Sequence, residues 1–292
     1  MATRADLLGP ARTVRVTEGA IRIHEAGPPD GPVLVFVHGI LANADVWRHV
    51  VADLSDRYRC VSPDWPLGGH QLPMAAGCDF TLPGLADLVA RTLSALDLSD
   101  VTLVGNDTGG AICQAVAAGP HEHVGAVVLT PCDAFENFLP LPIRHLQLFG
   151  RSAPGLRVIA EALRLRPVHR SPAAFGLLTR RPIPPEIMTS YIAPLRAYPG
   201  TRRDFAALVR GISRQYTLDA ARALPRFTKP ALVAWSRQRF FPLAHGERLA
   251  GLLPHARLEI LEDSGPFVSE DVPDLLSAAL RSFLRSIRPD VA

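Results

Sequence analysis

The chain has 292 residues, 48 % of them hydrophobic and 20 % charged, and a formal net charge of +3. That length allows one large domain or two modest ones around a well-buried core, and the composition excludes a disordered acidic chain or a coiled coil. No apolar run reaches the roughly 18 residues of a membrane span, and residues 1–16 carry Arg4, Asp6, Arg12 and Arg15 in place of a signal-peptide core. Cys60, Cys78, Cys113 and Cys132 form no Cys-x-x-Cys pair, so a reduced, cytoplasmic protein without structural zinc or other cofactor is expected. Lys229 is the only lysine, as a GC-rich codon bias would give, and nothing points to a nucleic-acid or membrane partner.

Short apolar, β-branched runs alternate with longer helical patterns, which predicts a mostly parallel sheet covered by helices. Thr13–Thr17 and Ala20–Glu25 read as an antiparallel lead-in. The alternation then runs through strand Val33–His38, helix Ala44–Ser55, strand Tyr58–Ser62, helix Leu82–Leu96, strand Val101–Gly105, helix Gly109–Ala118 and strand Gly125–Thr130. After an interruption it resumes with strand Ala231–Ser236, helix Leu243–Leu253, strand Arg257–Leu261 and a last helix over Pro273–Ser286. The interruption, residues 136–220, holds ten prolines and no strand pattern. Its 13 arginines against Glu136, Glu161, Glu186, Asp204 and Asp219 give +8, leaving −5 for the rest. It reads as a helical insertion between two core parts, residues 1–135 and 221–292. Its charge marks either a solvated helical face or an anion-attracting entrance.

The chemistry concentrates at Gly105-Asn106-Asp107-Thr108-Gly109-Gly110, between a strand and a helix. Small residues on both sides of a central polar residue permit a sharp turn that lifts its side chain above the sheet, putting Asp107 in a nucleophile's place. The alternative for Asp107 is capping of the next helix. His38-Gly39-Ile40 follows the first parallel strand, where the Ile40 amide and that of Thr108 can form an oxyanion hole. Trp65, Phe135, Phe138 and Phe267 fall on loops at the same sheet edge and are expected to line an apolar pocket.

With these motifs in this order, the chain resembles the α/β-hydrolase superfamily over nearly its whole length, with residues 136–220 as the cap. It is most similar to the branch with an aspartate nucleophile, which includes haloalkane dehalogenases and epoxide hydrolases. The resemblance implies an eight-stranded sheet, attack of Asp107 on an sp³ carbon, and an acid-held histidine that activates water to hydrolyse the ester. Both supporting positions depart from the family. Its histidine belongs in a pattern like Asp-x-Gly-His-x-x-x-x-Glu, where Asp263-Ser264-Gly265-Pro266-Phe267-Val268-Ser269-Glu270 has Pro266. Its acid belongs just after the strand ending at Ser236, where this chain has Gln238 and Arg239. Thr108 stands where similar dehalogenases place a halide-holding tryptophan, which disfavours halide chemistry.

Substitute groups are Asp133, as a second carboxylate near Asp107 that would split the pKa values of the pair, and His70 as a base. Glu136 lies just past the same strand, and His38 and His245 are assigned packing or outer positions. Tyr191, Tyr198 and Tyr216 of the insertion match the cap tyrosines of epoxide hydrolases, with packing as the alternative role. The reading is an enzyme using Asp107 as an acid/base or electrostatic group for ring opening, cyclisation, elimination or isomerisation of a hydrophobic metabolite. An epoxide-hydrolase-like enzyme with another base and a non-catalytic binding protein are the competing readings.

Overall fold

A computed structural model describes residues 4–120 and 122–288. Eight strands form one sheet in the order β1-β2-β4-β3-β5-β6-β7-β8, where β1 is Ala11–Val16, β2 Gly19–Ala26, β3 Val33–Val37, β4 Arg59–Pro63, β5 Val101–Asp107, β6 Val124–Cys132, β7 Ala231–Trp235 and β8 Ala256–Ile260. β1 and β2 form an antiparallel hairpin, β2 also runs antiparallel to β4, and the remaining pairings are parallel. This is the α/β-hydrolase fold read from the sequence. The central strands are apolar on both faces because helices cover both; every residue of β5 and β7 is buried, whereas edge strand β8 is half open to solvent. From β3 the chain crosses to β4 on one side and returns to β5 on the other. That reversal opens a crevice above the carboxyl ends of β3 and β5, where open α/β sheets bind ligands.

Two elements differ from the sequence reading in ways that bear on the site. The helix expected over 44–55 begins as a 3₁₀ turn, Ala44–Trp47, because the Asn43 side chain accepts from the Asp45 amide and caps it. Strands β5 and β6 extend to Asp107 and Cys132, with a register shift between Gly105 and Asp107 that brings the ends of both strands together.

Between β6 and β7 the described residues form helices and loops, with no strand. Helices His145–Phe149, Ala153–Ala162, Pro185–Ala197 and Pro199–Gly211 form a layer over the crevice. Helix Arg214–Ala223, which straddles the expected boundary at 220, packs instead on core helices Thr108–Ala118 and Leu82–Ala95.

Candidate active site

Asp107 sits at φ 55°, ψ −133° as the cap of helix Thr108–Ala118. A non-glycine residue there is strained, and such strain persists only where the surroundings over-determine it. Two glycines make the fit possible by close approach. A Cβ on Gly39 would lie 2.2 Å from Asp107 Oδ1, and one on Gly109 would lie 2.0 Å from the Val37 carbonyl oxygen. The Ile40 amide (3.2 Å) and the Thr108 amide (2.7 Å) both donate to Asp107 Oδ1. The oxyanion-hole geometry is thus filled by the carboxylate itself.

Asp133, just beyond β6, is buried with Asp107. The Thr108 hydroxyl donates to Asp133 Oδ2 at 2.8 Å, and Gln114 Nε2 donates to the Asp133 carbonyl at 2.9 Å. Burial pushes both carboxyls up; the two amides and the Thr108 side chain pull Asp107 back, while the Asp107 charge pushes Asp133 further up. Of the two, Asp133 is pushed up further, so the neutral form is favoured more at Asp133 than at Asp107. Asn106, which the sequence did not single out, fixes the neighbouring loop: its Nδ2 is 2.9 Å from Thr130 Oγ1 and from the carbonyls of Pro131 and Pro266.

That contact places Pro266 against the elbow, where it contributes a carbonyl and no titratable group. The Pro266 loop is held by Ser236 Oγ donating to the Gly265 carbonyl (3.0 Å), by the Gly265 amide donating to Asp271 (2.8 Å) and by the Phe267 amide donating to the Leu178 carbonyl (2.8 Å). After β7, Gln238 closes its own turn on Phe241 through both its amide oxygen and its nitrogen. Arg239 lies in a surface groove with Leu141 and Phe240.

The histidines have other work. The Trp65 amide donates to His38 Nε2 (2.9 Å), and His38 Nδ1 lies 2.9 Å from the Gly39 carbonyl. His70 accepts from the Gly68 amide (3.3 Å) at Nδ1 and contacts Asp204 Oδ2 (3.3 Å) at Nε2. This is a tie between core loop and cap and not a contact with Asp107. Asp204 is penalised by burial, but His70, the Met74 amide and Arg203 outweigh that and hold its carboxyl below the usual range. His245 packs edge-on against Phe135, and Arg248 covers the same ring at 3.8 Å.

The expected pocket aromatics make packing and hydrogen-bond contacts. Phe135 is held between His245 and Arg248, Trp65 donates from its indole to the Phe36 carbonyl (3.0 Å), and Phe138 and Phe267 are buried. Tyr191 is fully buried with its hydroxyl donating to Glu270 (3.0 Å), so it is committed to that carboxylate. Large rings gain most by complete burial, and a loop position does not reveal which way a ring turns. The cleft beside the elbow, about 220 Å³, is lined by Ile40, Leu41, Ile143, Ile159, Leu163 and Leu178 together with Phe175. Ile40 joins the two halves of the site, with its amide on Asp107 and its residue in the cleft wall. His145 is in that wall too, with Nδ1 3.1 Å from the Pro142 carbonyl; nothing in the local sequence marks it except the cap position itself.

A sharply turned acidic elbow, two converging amides and a helical cover over a parallel sheet define the α/β-hydrolase class. The profile of the Alpha/beta hydrolase family matches residues 34–279, and the chain belongs to that family. Among characterised relatives it is similar to a cis-3-alkyl-4-alkyloxetan-2-one decarboxylase of Xanthomonas campestris pv. campestris, 30 % identical over 280 residues and covering 89 % of this chain and 90 % of the relative. It is also similar to haloalkane dehalogenase 2 of Mycobacterium bovis, 27 % identical over 275 residues, covering 89 % and 90 %. Among solved structures, haloalkane dehalogenase DbeA from Bradyrhizobium elkani superposes with a TM-score of 0.78 at 20 % identity, covering 96 % of this chain and 99 % of that one, a likeness of fold.

Proposed function

We propose that this chain is an enzyme that opens a strained ring in a hydrophobic small molecule without consuming water. Its substrate class on this reading is the 3,4-dialkyl oxetan-2-one named for its Xanthomonas relative. The observation that carries the reading is the buried Asp107 carboxylate held by the Ile40 and Thr108 amides beside buried Asp133, with Asn106 donating to the carbonyl of Pro266, the residue at which the resemblance expects an imidazole.

Loss of CO₂ from such a ring balances without water. The bond from C4 to the ring oxygen breaks with its electron pair going to oxygen. The bond from C3 to the carboxyl carbon then breaks, and its pair becomes the C3=C4 double bond. An alkene and CO₂ leave, and no proton is gained or lost. Positive charge builds at C4 as the first bond breaks, and a fixed, desolvated Asp107 anion compensates it. Because Oδ1 is held by two amides, the carboxylate needs no reorganisation as that charge develops. Burial and the neighbouring Asp107 charge push the Asp133 carboxyl up, which favours its neutral form and limits competing negative charge. The apolar cleft suits the alkyl arms.

By contrast, dehalogenation or epoxide opening would leave an ester on Asp107 that only activated water removes. One observation favours that second, hydrolytic reading: His145 stands in the cleft wall, where an imidazole could activate water. Incubation with a cis-3,4-dialkyl oxetan-2-one separates them. The expected products are alkene and CO₂ in equal amounts, abolished in Asp107→Asn and retained in His145→Gln. A 3-hydroxy acid that disappears in His145→Gln would overturn the water-free reading.

A further inference from the structure

The outer side of residues 141–178 carries an unusual combination. Eight large apolar side chains are exposed among the described residues, and five of them, Leu141, Phe149, Val158, Leu165 and Leu177, are in this segment at 42 to 75 % exposure. Interleaved with them are six exposed arginines, Arg144, Arg151, Arg157, Arg164, Arg166 and Arg170, against one acid, Glu161. The segment therefore carries +5 of a chain whose net charge is +3, leaving −2 for everything else. Its inner side, through Ile143, Ile159, Leu163 and Leu178, is the wall of the apolar cleft. Val158 is exposed on helix Ala153–Ala162, whose Leu156 and Ala160 are buried, and Leu165 is exposed in the extended turn just beyond that helix. Leu141 and Leu177 share a surface groove with Arg144.

We propose that this face docks on an anionic lipid bilayer. Exposed apolar residues among arginines are what an interfacial surface needs: the side chains enter the headgroup boundary and the guanidinium groups meet lipid phosphates. No helix among the described residues is long and apolar enough to cross a membrane, so the attachment is peripheral. A second copy of the same face is a poor occupant, since it would oppose +5 with +5. Docking sets the outer wall of the cleft against the phase in which hydrophobic molecules accumulate. The inference concerns the surface alone and stands or falls apart from the chemistry at Asp107.

The test is co-sedimentation of the full chain with vesicles of phosphatidylcholine alone or mixed with phosphatidylglycerol. Binding is expected to the mixed vesicles, weakly to neutral ones, and to fall at high salt as screening shortens the reach of the charges. Val158→Asp with Leu165→Asp should abolish it, and each of Arg157→Gln and Arg166→Gln should lower partitioning about fivefold. All four positions are exposed, so circular dichroism and melting should match the parent. No binding to anionic vesicles, equal binding to neutral ones, or binding indifferent to these variants would overturn the proposal. An assembly change on size exclusion that follows the Val158 and Leu165 substitutions without vesicle binding would assign the face to a protein partner instead.

Discussion

The two halves of the helical layer over the crevice are held to the core by different forces. The rear half, residues 183–212, is latched by buried polar contacts. Ser190 donates to Asp45 (2.5 Å), Asn43 donates to the Ser190 carbonyl (3.1 Å), Tyr191 donates to Glu270, which is paired with Arg48 at 2.6 and 2.8 Å, and Asp204 meets His70 and the Met74 amide. The front half, residues 141–178, lays Ile143, Leu146, Ile159 and Leu163 over the cleft and is tied to the core at its end, where Leu178 accepts from Phe267. Directional contacts fix one geometry because leaving a buried partner unpaired is costly. Apolar contacts tolerate changes of shape. The rear half therefore sets the position of the layer, and the front half sets what fits beneath it.

The largest effect should fall on neither half. Asp107→Asn keeps the shape and the two amide contacts but removes the anion, and should lower kcat about 10³-fold with folding intact by circular dichroism. Near-parental turnover would shift the chemistry away from the elbow.

The rear latch comes next. Arg48 and Glu270 are both nearly buried, at 6 and 5 % side-chain exposure. Glu270→Ala strands the guanidinium and should cost about 3–5 kcal/mol in urea unfolding, much of it recovered when Arg48→Met is added. An unchanged midpoint would mean that the latch does not hold the layer.

Asp133→Asn sharpens the account of the pair through its pH dependence. A carboxyl whose folded pKa is raised makes the native state bind more protons than the unfolded one. It therefore destabilises the fold increasingly as pH rises above the ordinary carboxylate range, until the raised folded pKa is passed. Asp133→Asn should leave stability near pH 4 unchanged and raise the melting temperature at neutral pH. Parental activity should fall on the alkaline side as Asp133 loses its proton, and the variant should lose that limb. A variant less stable at pH 7 than the parent would contradict an upward shift of the Asp133 carboxyl.

The smallest effect belongs to the front half. Ile159→Trp fills the cleft and should raise KM for long alkyl arms several-fold while costing no more than about 1–3 kcal/mol of stability. A large loss of stability would show that the front is as tightly specified as the rear.

Much of the sheet was legible because buried parallel strands are continuous apolar runs, as in Val33–Val37 and Ala231–Trp235. The elbow was legible from Gly105 and Gly109 around Asp107. The Thr108–Asp133 contact depends on the register shift between β5 and β6, which no local pattern encodes. Arg48 and Glu270 are 222 residues apart, and only the fold brings them together. Side-chain direction was not legible: Phe135 and Tyr191 lie in the expected segments and make packing and hydrogen-bond contacts, while the cleft walls include Ile40, Ile143, Leu163 and Phe175.

The central claim is that Asp107 acts without activating water. Turnover of a cis-3,4-dialkyl oxetan-2-one in ¹⁸O-enriched water, followed by mass spectrometry of the organic product and of the intact protein, tests it most directly. The account predicts an alkene free of oxygen and a chain whose Asp107 carboxylate gains no label over many turnovers. A labelled 3-hydroxy acid, or ¹⁸O accumulating in Asp107, would show ester formation and hydrolysis and contradict it.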